Sequence, residues 1–232
     1  MHRRELDSVK GVIFDLDGTL YRMEWFFRPL LFALLFPHSR RLLRLMSVRS
    51  RFAGVDMGSR DALLDTLCTA IADAEKTTPD AIRRWILDRF YPAFVASMPL
   101  QRYGRPRIRG TLRLLHDRGV RLAVLSDFHA VTERLGKLRL PLDCFDTIAS
   151  CEESGALKPA ERPFLHIASM WNIAPSSVLV VGDRDDTDGE AARKAGMRFL
   201  LMGDRRHNRS ASGTAYRWKE ARTMLMTLGN SA

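Results

Sequence analysis

Short, unbroken apolar runs alternate along the chain with longer stretches in which apolar residues recur every three or four positions. Four runs, Gly11–Phe14 (GVIF), Arg121–Leu125 (RLAVL), Ser177–Val181 (SVLVV) and Arg198–Met202 (RFLLM), predict strands buried on both faces. A parallel strand covered by helices on each side shows no polar alternation, which is the pattern here. Thr147–Ser150 predicts a shorter fifth strand. Helical periodicity falls between them, at Gly110–Arg118, Ala160–Trp171 and Gly189–Ala195. The first and last stop at Gly119 and Gly196, the usual residue type just past a final turn. This alternation predicts an α/β fold with a doubly wound, Rossmann-like parallel sheet.

Residues 22 to about 100 break the rhythm. Leu30–Leu45, Arg60–Ala74 and Pro79–Ala93 read as helices with no strand between them. The expected organisation is therefore a core formed by 1–21 and 101–232, with a helical module, 22–100, inserted after the first strand. Beyond about Arg205 the chain is polar, then weakly helical over Tyr216–Leu228. The greasiest stretch, Trp25–Phe36 (WFFRPLLFALLF), holds Arg28 and Pro29 and falls short of the roughly 20 residues needed to span a bilayer. It predicts a buried helix, with an interfacial helix as the alternative, because the basic run HSRRLLRLMSVRSR follows at once.

Composition excludes several classes. Of 232 residues 46% are apolar and 28% charged, so disorder and low-complexity scaffolds do not fit. Charge is the anomaly: 37 Lys+Arg face 27 Asp+Glu, giving a formal net charge of +10, and 31 of the cations are Arg. Such a balance suggests an anionic partner, whether nucleic acid, lipid or a phosphorylated substrate, or else plain surface composition. The three cysteines, Cys68, Cys144 and Cys151, have no metal-ligand spacing and imply a reducing, cytoplasmic setting. Met1 to Lys10 is polar and charged, unlike a secretory leader.

The candidate chemistry sits just past the strands. GVIF runs into Asp15-Leu16-Asp17-Gly18-Thr19, RLAVL into Ser126-Asp127, and SVLVV into Gly182-Asp183, with Asp185, Asp186 and Asp188 close behind. Open α/β sheets bind ligands at the carboxyl ends of their strands, so these groups should converge. Several carboxylates in one cleft repel one another unless a counter-charge intervenes. A hard divalent cation such as Mg²⁺ suits that donor set, and a strand-end Asp can also attack phosphorus.

The string DLDGTLY resembles the first motif of the haloacid dehalogenase superfamily, Asp-x-Asp-x-Thr after an apolar strand. Ser126 matches the second motif, Lys158-Pro159 the third, and Gly182-Asp183 with Asp188 the acidic fourth. The resemblance covers about 11–22 and 100–204, and is closest to the first subfamily, with its helical cap, as in phosphoglycolate phosphatases. It implies that Asp15 is the nucleophile and a Mg²⁺ ligand. Asp17 would be the general acid/base and lend its backbone carbonyl to the metal. Gly18 and Thr19 would shape the loop around the phosphate, and Ser126 would bind a phosphoryl oxygen. Lys158 would neutralise charge on Asp15 and phosphate, Asp183 would ligate Mg²⁺, and Asp188 would be a ligand or stand behind one. Asp127, Asp185 and Asp186 read as helix caps or solvated charge. His116, His129, His166 and His207 read as ordinary core or surface residues.

An acid at position 17 resembles the family's phosphatases and phosphomutases rather than its dehalogenases. The expected activity is Mg²⁺-dependent hydrolysis of a small phosphorylated metabolite through an aspartyl-phosphate. A phosphomutase or other hydrolase is the alternative, as is a membrane-surface or partner-binding module that keeps the fold. The insert arginines Arg49, Arg51 and Arg60 could meet a substrate anion, though each reads first as a solvated surface residue. Nucleic acid is not the expected partner. Segment 25–51 leaves peripheral membrane contact open, and the chain is expected to be a monomer or homodimer.

Overall fold

The computed structural model describes residues 6–23, 25–98, 104–203 and 214–229. Five parallel strands form one sheet: β1 (Gly11–Phe14), β2 (Arg121–Ser126), β3 (Thr147–Ser150), β4 (Val178–Gly182) and β5 (Arg198–Leu201). Their order is β3-β2-β1-β4-β5, with β1 in the centre. All four β1 residues are buried, which is why GVIF carries no polar position. Phe14 lies in register with Val124 on one side and Val181 on the other. The residues that follow these three strands therefore emerge at one edge, where the chain's winding reverses around β1.

Among the described residues, five helices fill the insert after β1: α1 (Phe27–Leu34), α2 (Ser39–Arg51), α3 (Arg60–Glu75), α4 (Pro79–Trp85) and α5 (Tyr91–Ser97). The single helix expected over Leu30–Leu45 is two. Pro37 lacks an amide hydrogen and cannot continue a helix, so the chain turns there. Pro79–Ala93 is helical throughout as expected, with α4 running into α5 through a wider helical turn at Ile86–Phe90 and helical φ/ψ at both joints. Caps explain two starts: Ser59 accepts from the Ala62 amide, and Thr78 from the Ala81 amide with Pro79 in the first turn. The insert shares one hydrophobic core with the sheet, from Val12 and Phe14 to Leu31, Leu67, Phe90 and Phe94.

The remaining helices are α6 (Ile108–Asp117), α7 (Val131–Lys137), α8 (Cys151–Ser154), α9 (Arg162–Met170), α10 (Glu190–Lys194) and α11 (Trp218–Leu225). The periodicity over 131–137 was too short to predict α7, and this helix proves important below. The polar stretch expected from about Arg205, including His207, lies outside the described residues up to 213, as does Arg102. All three cysteines are buried and free. Among the described residues no helix is long and apolar enough to cross a membrane.

Candidate active site

Asp15 is fixed as β1 ends, where its amide donates to Val181 O at 2.9 Å. The chain then swings through Gly18, whose φ is +97°, a conformation that costs glycine least. Space demands glycine too: a Cβ there would lie 2.2 Å from Asp183 Oδ2. Asp15 and Asp17 thus face the same strand-end cleft, but meet different partners.

On the Asp15 side one cation serves several anions. Lys158 Nζ donates to Asp15 Oδ1 at 2.7 Å and to Leu125 O at 2.9 Å. It also pairs with Asp188 Oδ1 at 2.7 Å. Asp15, Asp183 and Asp188 each offer an oxygen within 4.8 Å of the others. Burial pushes the Asp15 carboxyl well up; Lys158 opposes this, and Asp188 and Asp183 add to it. Burial and then Asp188 raise Asp183 to about 6. Burial likewise raises Asp188, against the pull of Lys158. Burial alone would lower the Lys158 ammonium, but Asp15 and Asp188 hold it well above the lysine range.

Three carboxylates against one ammonium leave this side short of positive charge. Asp15 Oδ2 is buried without a hydrogen-bond partner. An all-oxygen donor set with an unpartnered carboxylate oxygen fits a hard divalent cation.

On the Asp17 side donors saturate a single carboxylate. Arg134 Nη1, from α7, reaches Asp17 Oδ1 at 2.9 Å and Oδ2 at 2.7 Å. Tyr21 OH donates to Oδ1 at 2.6 Å, and Ser126 Oγ to Oδ2 at 2.9 Å. Arg134 Nη2 donates to Ser126 Oγ at 2.8 Å and Phe128 O at 2.9 Å. Burial would raise Asp17, but Arg134, Tyr21 and Ser126 outweigh it and hold the carboxyl below its ordinary range. The Arg134 guanidinium is fully buried and lies 4.7 Å from the Phe94 ring centroid, on the insert.

The fold brings together Asp15, Asp17, Gly18, Ser126, Lys158, Asp183 and Asp188. In this arrangement the Ser126 hydroxyl is already engaged with Asp17, Arg134 and the Phe128 amide. The buried Thr19 hydroxyl has no hydrogen-bond partner, and it is the Thr19 carbonyl that accepts from Arg105 Nε at 3.1 Å.

Two surface expectations are corrected. Asp127 is no solvated charge or cap: its Oδ1 accepts from the Lys158 amide at 2.9 Å, tying the loop that carries Lys158 to β2. Arg49 is buried, not solvated. Its Nη1 donates to the fully buried Glu152 at 2.9 Å, and its Nη2 to Asp127 O at 2.7 Å. Tyr91 OH bonds the same Glu152 oxygen, and Arg60 Nε stands 3.7 Å from the other. Arg51 is exposed as expected, and Asp186 forms an exposed pair with Arg184.

Sequence reasoning passed over Arg134, Tyr21 and Glu152. Tyr21 alone carried a local signal, four residues after Asp17.

A family model for haloacid dehalogenase-like hydrolases matches residues 9–196. The chain belongs to this family. It is 29% identical over 195 residues to a phosphoglycolate phosphatase of Nitrosospira multiformis, covering 84% of this chain and 83% of the relative. It is 24% identical over 202 residues to a glyceraldehyde 3-phosphate phosphatase of Methanocaldococcus jannaschii, with 82% of each covered. A solved HAD-hydrolase from Bacillus subtilis, bound to magnesium, matches with a TM-score of 0.66 over 94% of this chain and 98% of its own, at 15% identity. That last likeness is one of fold. The protein is a hydrolase, phosphatase-like in its curated relatives, with a helical cap inserted into an α/β core.

Proposed function

We propose that this hydrolase is a Mg²⁺-dependent phosphatase for a small phosphate monoester, working through an aspartyl-phosphate on Asp15. The observation that carries the reading is the Asp15 side of the cleft: an unpartnered, buried Asp15 oxygen beside Lys158, Asp183 and Asp188. The substrate class rests on the relatives, named for phosphoglycolate and glyceraldehyde 3-phosphate.

Asp15 attacks phosphorus as the bond from phosphorus to the substrate oxygen breaks, and Asp17 delivers a proton to that departing oxygen. Asp17 then takes a proton from water as the water attacks phosphorus. The phosphorus–Asp15 bond breaks, returning Asp15 and inorganic phosphate. Arg134 and the two hydroxyls favour the base form of Asp17, so protonating it to act as an acid must loosen that clamp. Lys158 steadies charge on Asp15 and the phosphoryl group. Asp15, Asp183, Asp188 and the Asp17 carbonyl would hold the cation, which when bound supplies positive charge to the phosphoryl oxygens. Gly18 and Thr19 shape the phosphate loop, and Ser126 contacts phosphate once Asp17 releases it. The module at 22–100 acts as a cap that admits substrate and then excludes water from the cleft.

Turnover of p-nitrophenyl phosphate and of a panel of phosphometabolites, with Mg²⁺ and with EDTA, tests the reading. Wild type should turn over only with the metal, and Asp15→Asn should be inactive. Equal rates in EDTA, or an active Asp15→Asn, would refute it.

A further inference from the structure

The first helical hairpin of the cap turns an apolar, cationic face to solvent. Trp25 is 85% exposed, Phe36 78%, Leu43 57% and Leu34 48%. These are large side chains, and water gains nothing by meeting them. They do not replace the core contacts of α1 and α2, whose opposite faces bury Phe27, Leu31, Leu42, Leu45 and Val48. Arg28, Arg40, Arg44 and Arg51 are exposed on the same two helices, of which Arg44 also pairs with Glu75 on α3. On α2, Arg40, Leu43, Arg44 and Arg51 are all outward-facing, at helical spacing. No acidic residue occurs anywhere in 25–55.

We propose that this hairpin is a docking face for an anionic lipid bilayer, with Trp25, Leu34, Phe36 and Leu43 entering the headgroup–acyl boundary and the arginines meeting lipid phosphates. Charge decides the occupant. A second copy of this face would bring like-charged guanidiniums together across a two-fold contact, which repels. A nucleic acid would satisfy the arginines but leave a large indole and phenyl ring against a phosphate backbone. A bilayer with anionic headgroups satisfies both, since basic side chains are attracted to its surface and aromatic rings favour its interface. None of these outward side chains has a part in the roles assigned to Asp15, Asp17 and Lys158, so the inference stands or falls apart from the phosphatase reading.

Co-sedimentation of the full chain tests it, using vesicles of phosphatidylcholine alone and of phosphatidylcholine with 40% phosphatidylglycerol. Each guanidinium that reaches the surface should contribute roughly fivefold, so partitioning onto the anionic vesicles should exceed the neutral ones at least tenfold. Raising salt from 0.1 to 0.5 M should remove most of that excess. Two double variants should each reduce anionic partitioning at least tenfold: Trp25→Ser with Phe36→Ser, and Arg28→Glu with Arg40→Glu. The glutamates fall in first helical turns, where negative charge is favoured, so the fold should hold. Melting temperature and aryl-phosphate turnover should match wild type in both. Equal binding to both vesicle types, binding to neither, or tighter binding to duplex DNA than to anionic vesicles would overturn the proposal. So would a concentration-dependent dimer that the Trp25→Ser, Phe36→Ser variant abolishes.

Discussion

Asp15 and Asp17 stand two residues apart in one cleft, yet the two sides they define are electrostatic opposites. On the Asp15 side Lys158 pairs with Asp15 and Asp188, Asp183 lies beside them, and Asp15 Oδ2 has no hydrogen-bond partner. On the Asp17 side one carboxylate takes bonds from Arg134, Tyr21 and Ser126. One side has more carboxylates than its single ammonium can offset, which fits the cation proposed for it. The other is saturated with donors and holds a base. Identical side chains two positions apart acquire different chemistry from their neighbours alone.

Three substitutions would break or sharpen that contrast. The largest effect is expected for Asp15→Asn, which removes the proposed nucleophile and should lower metal-dependent aryl-phosphate turnover at least about 1,000-fold, with the fold retained by circular dichroism. Lys158→Met should cost both activity and stability. Stranding Asp15 and Asp188 without their shared ammonium removes one partner of a buried ion pair, at about 3–5 kcal/mol by chemical denaturation. Arg134→Gln strips the Asp17 side of its charge but keeps donors, so a smaller loss, on the order of 2 kcal/mol, is expected with reduced turnover. A wild-type denaturation midpoint there would mean that the clamp does not hold Asp17.

The two sides should also respond to pH with opposite sign. Asp183 is raised from 3.8 to about 6, so the metal-free folded state holds its proton more tightly than the unfolded chain. The stability it contributes is therefore full at acid pH and is lost as pH rises from about 4 to 6, on the order of 1–3 kcal/mol before screening by solvent. Asp15 and Asp188 act in the same direction. Asp17 is lowered, so its contribution is present above the ordinary carboxylate range and lost on acidification below it. Urea midpoints in EDTA should fall between pH 4 and 6.5 in wild type, and fall less in Asp183→Asn.

The acidic side was largely legible in the sequence, and the basic side was not. Asp15 and Asp183, like Ser126 on the other side of the cleft, each come at the end of an apolar run that marks a strand, and parallel strands in register bring their ends together whatever the chain between them does. Lys158 lies 143 positions from Asp15 and could be placed only through a family motif. Arg134 sits on a seven-residue helix whose periodicity is too short to register. Among 31 arginines, nothing in its neighbours sets it apart. Arg49 was misjudged for the same reason: its burial depends on Glu152, 103 positions away, and on Phe128, whose ring centroid lies 4.3 Å from its guanidinium. Local patterns report strands and loops; the pairing of a charge with a distant partner is a product of packing. Pro37 shows the converse, a local break overlooked inside a long apolar run.

The central claim is that the Asp15 side needs a divalent cation to offset its three carboxylates. Thermal melting of wild type and Asp183→Asn at pH 7.5, in EDTA and in Mg²⁺, tests it most directly. The account predicts that Asp183→Asn melts above wild type in EDTA, because a source of repulsion is gone, and that Mg²⁺ raises wild type by several degrees but the variant little. A wild type that ignores Mg²⁺, or a variant that gains as much as wild type from it, would contradict the account.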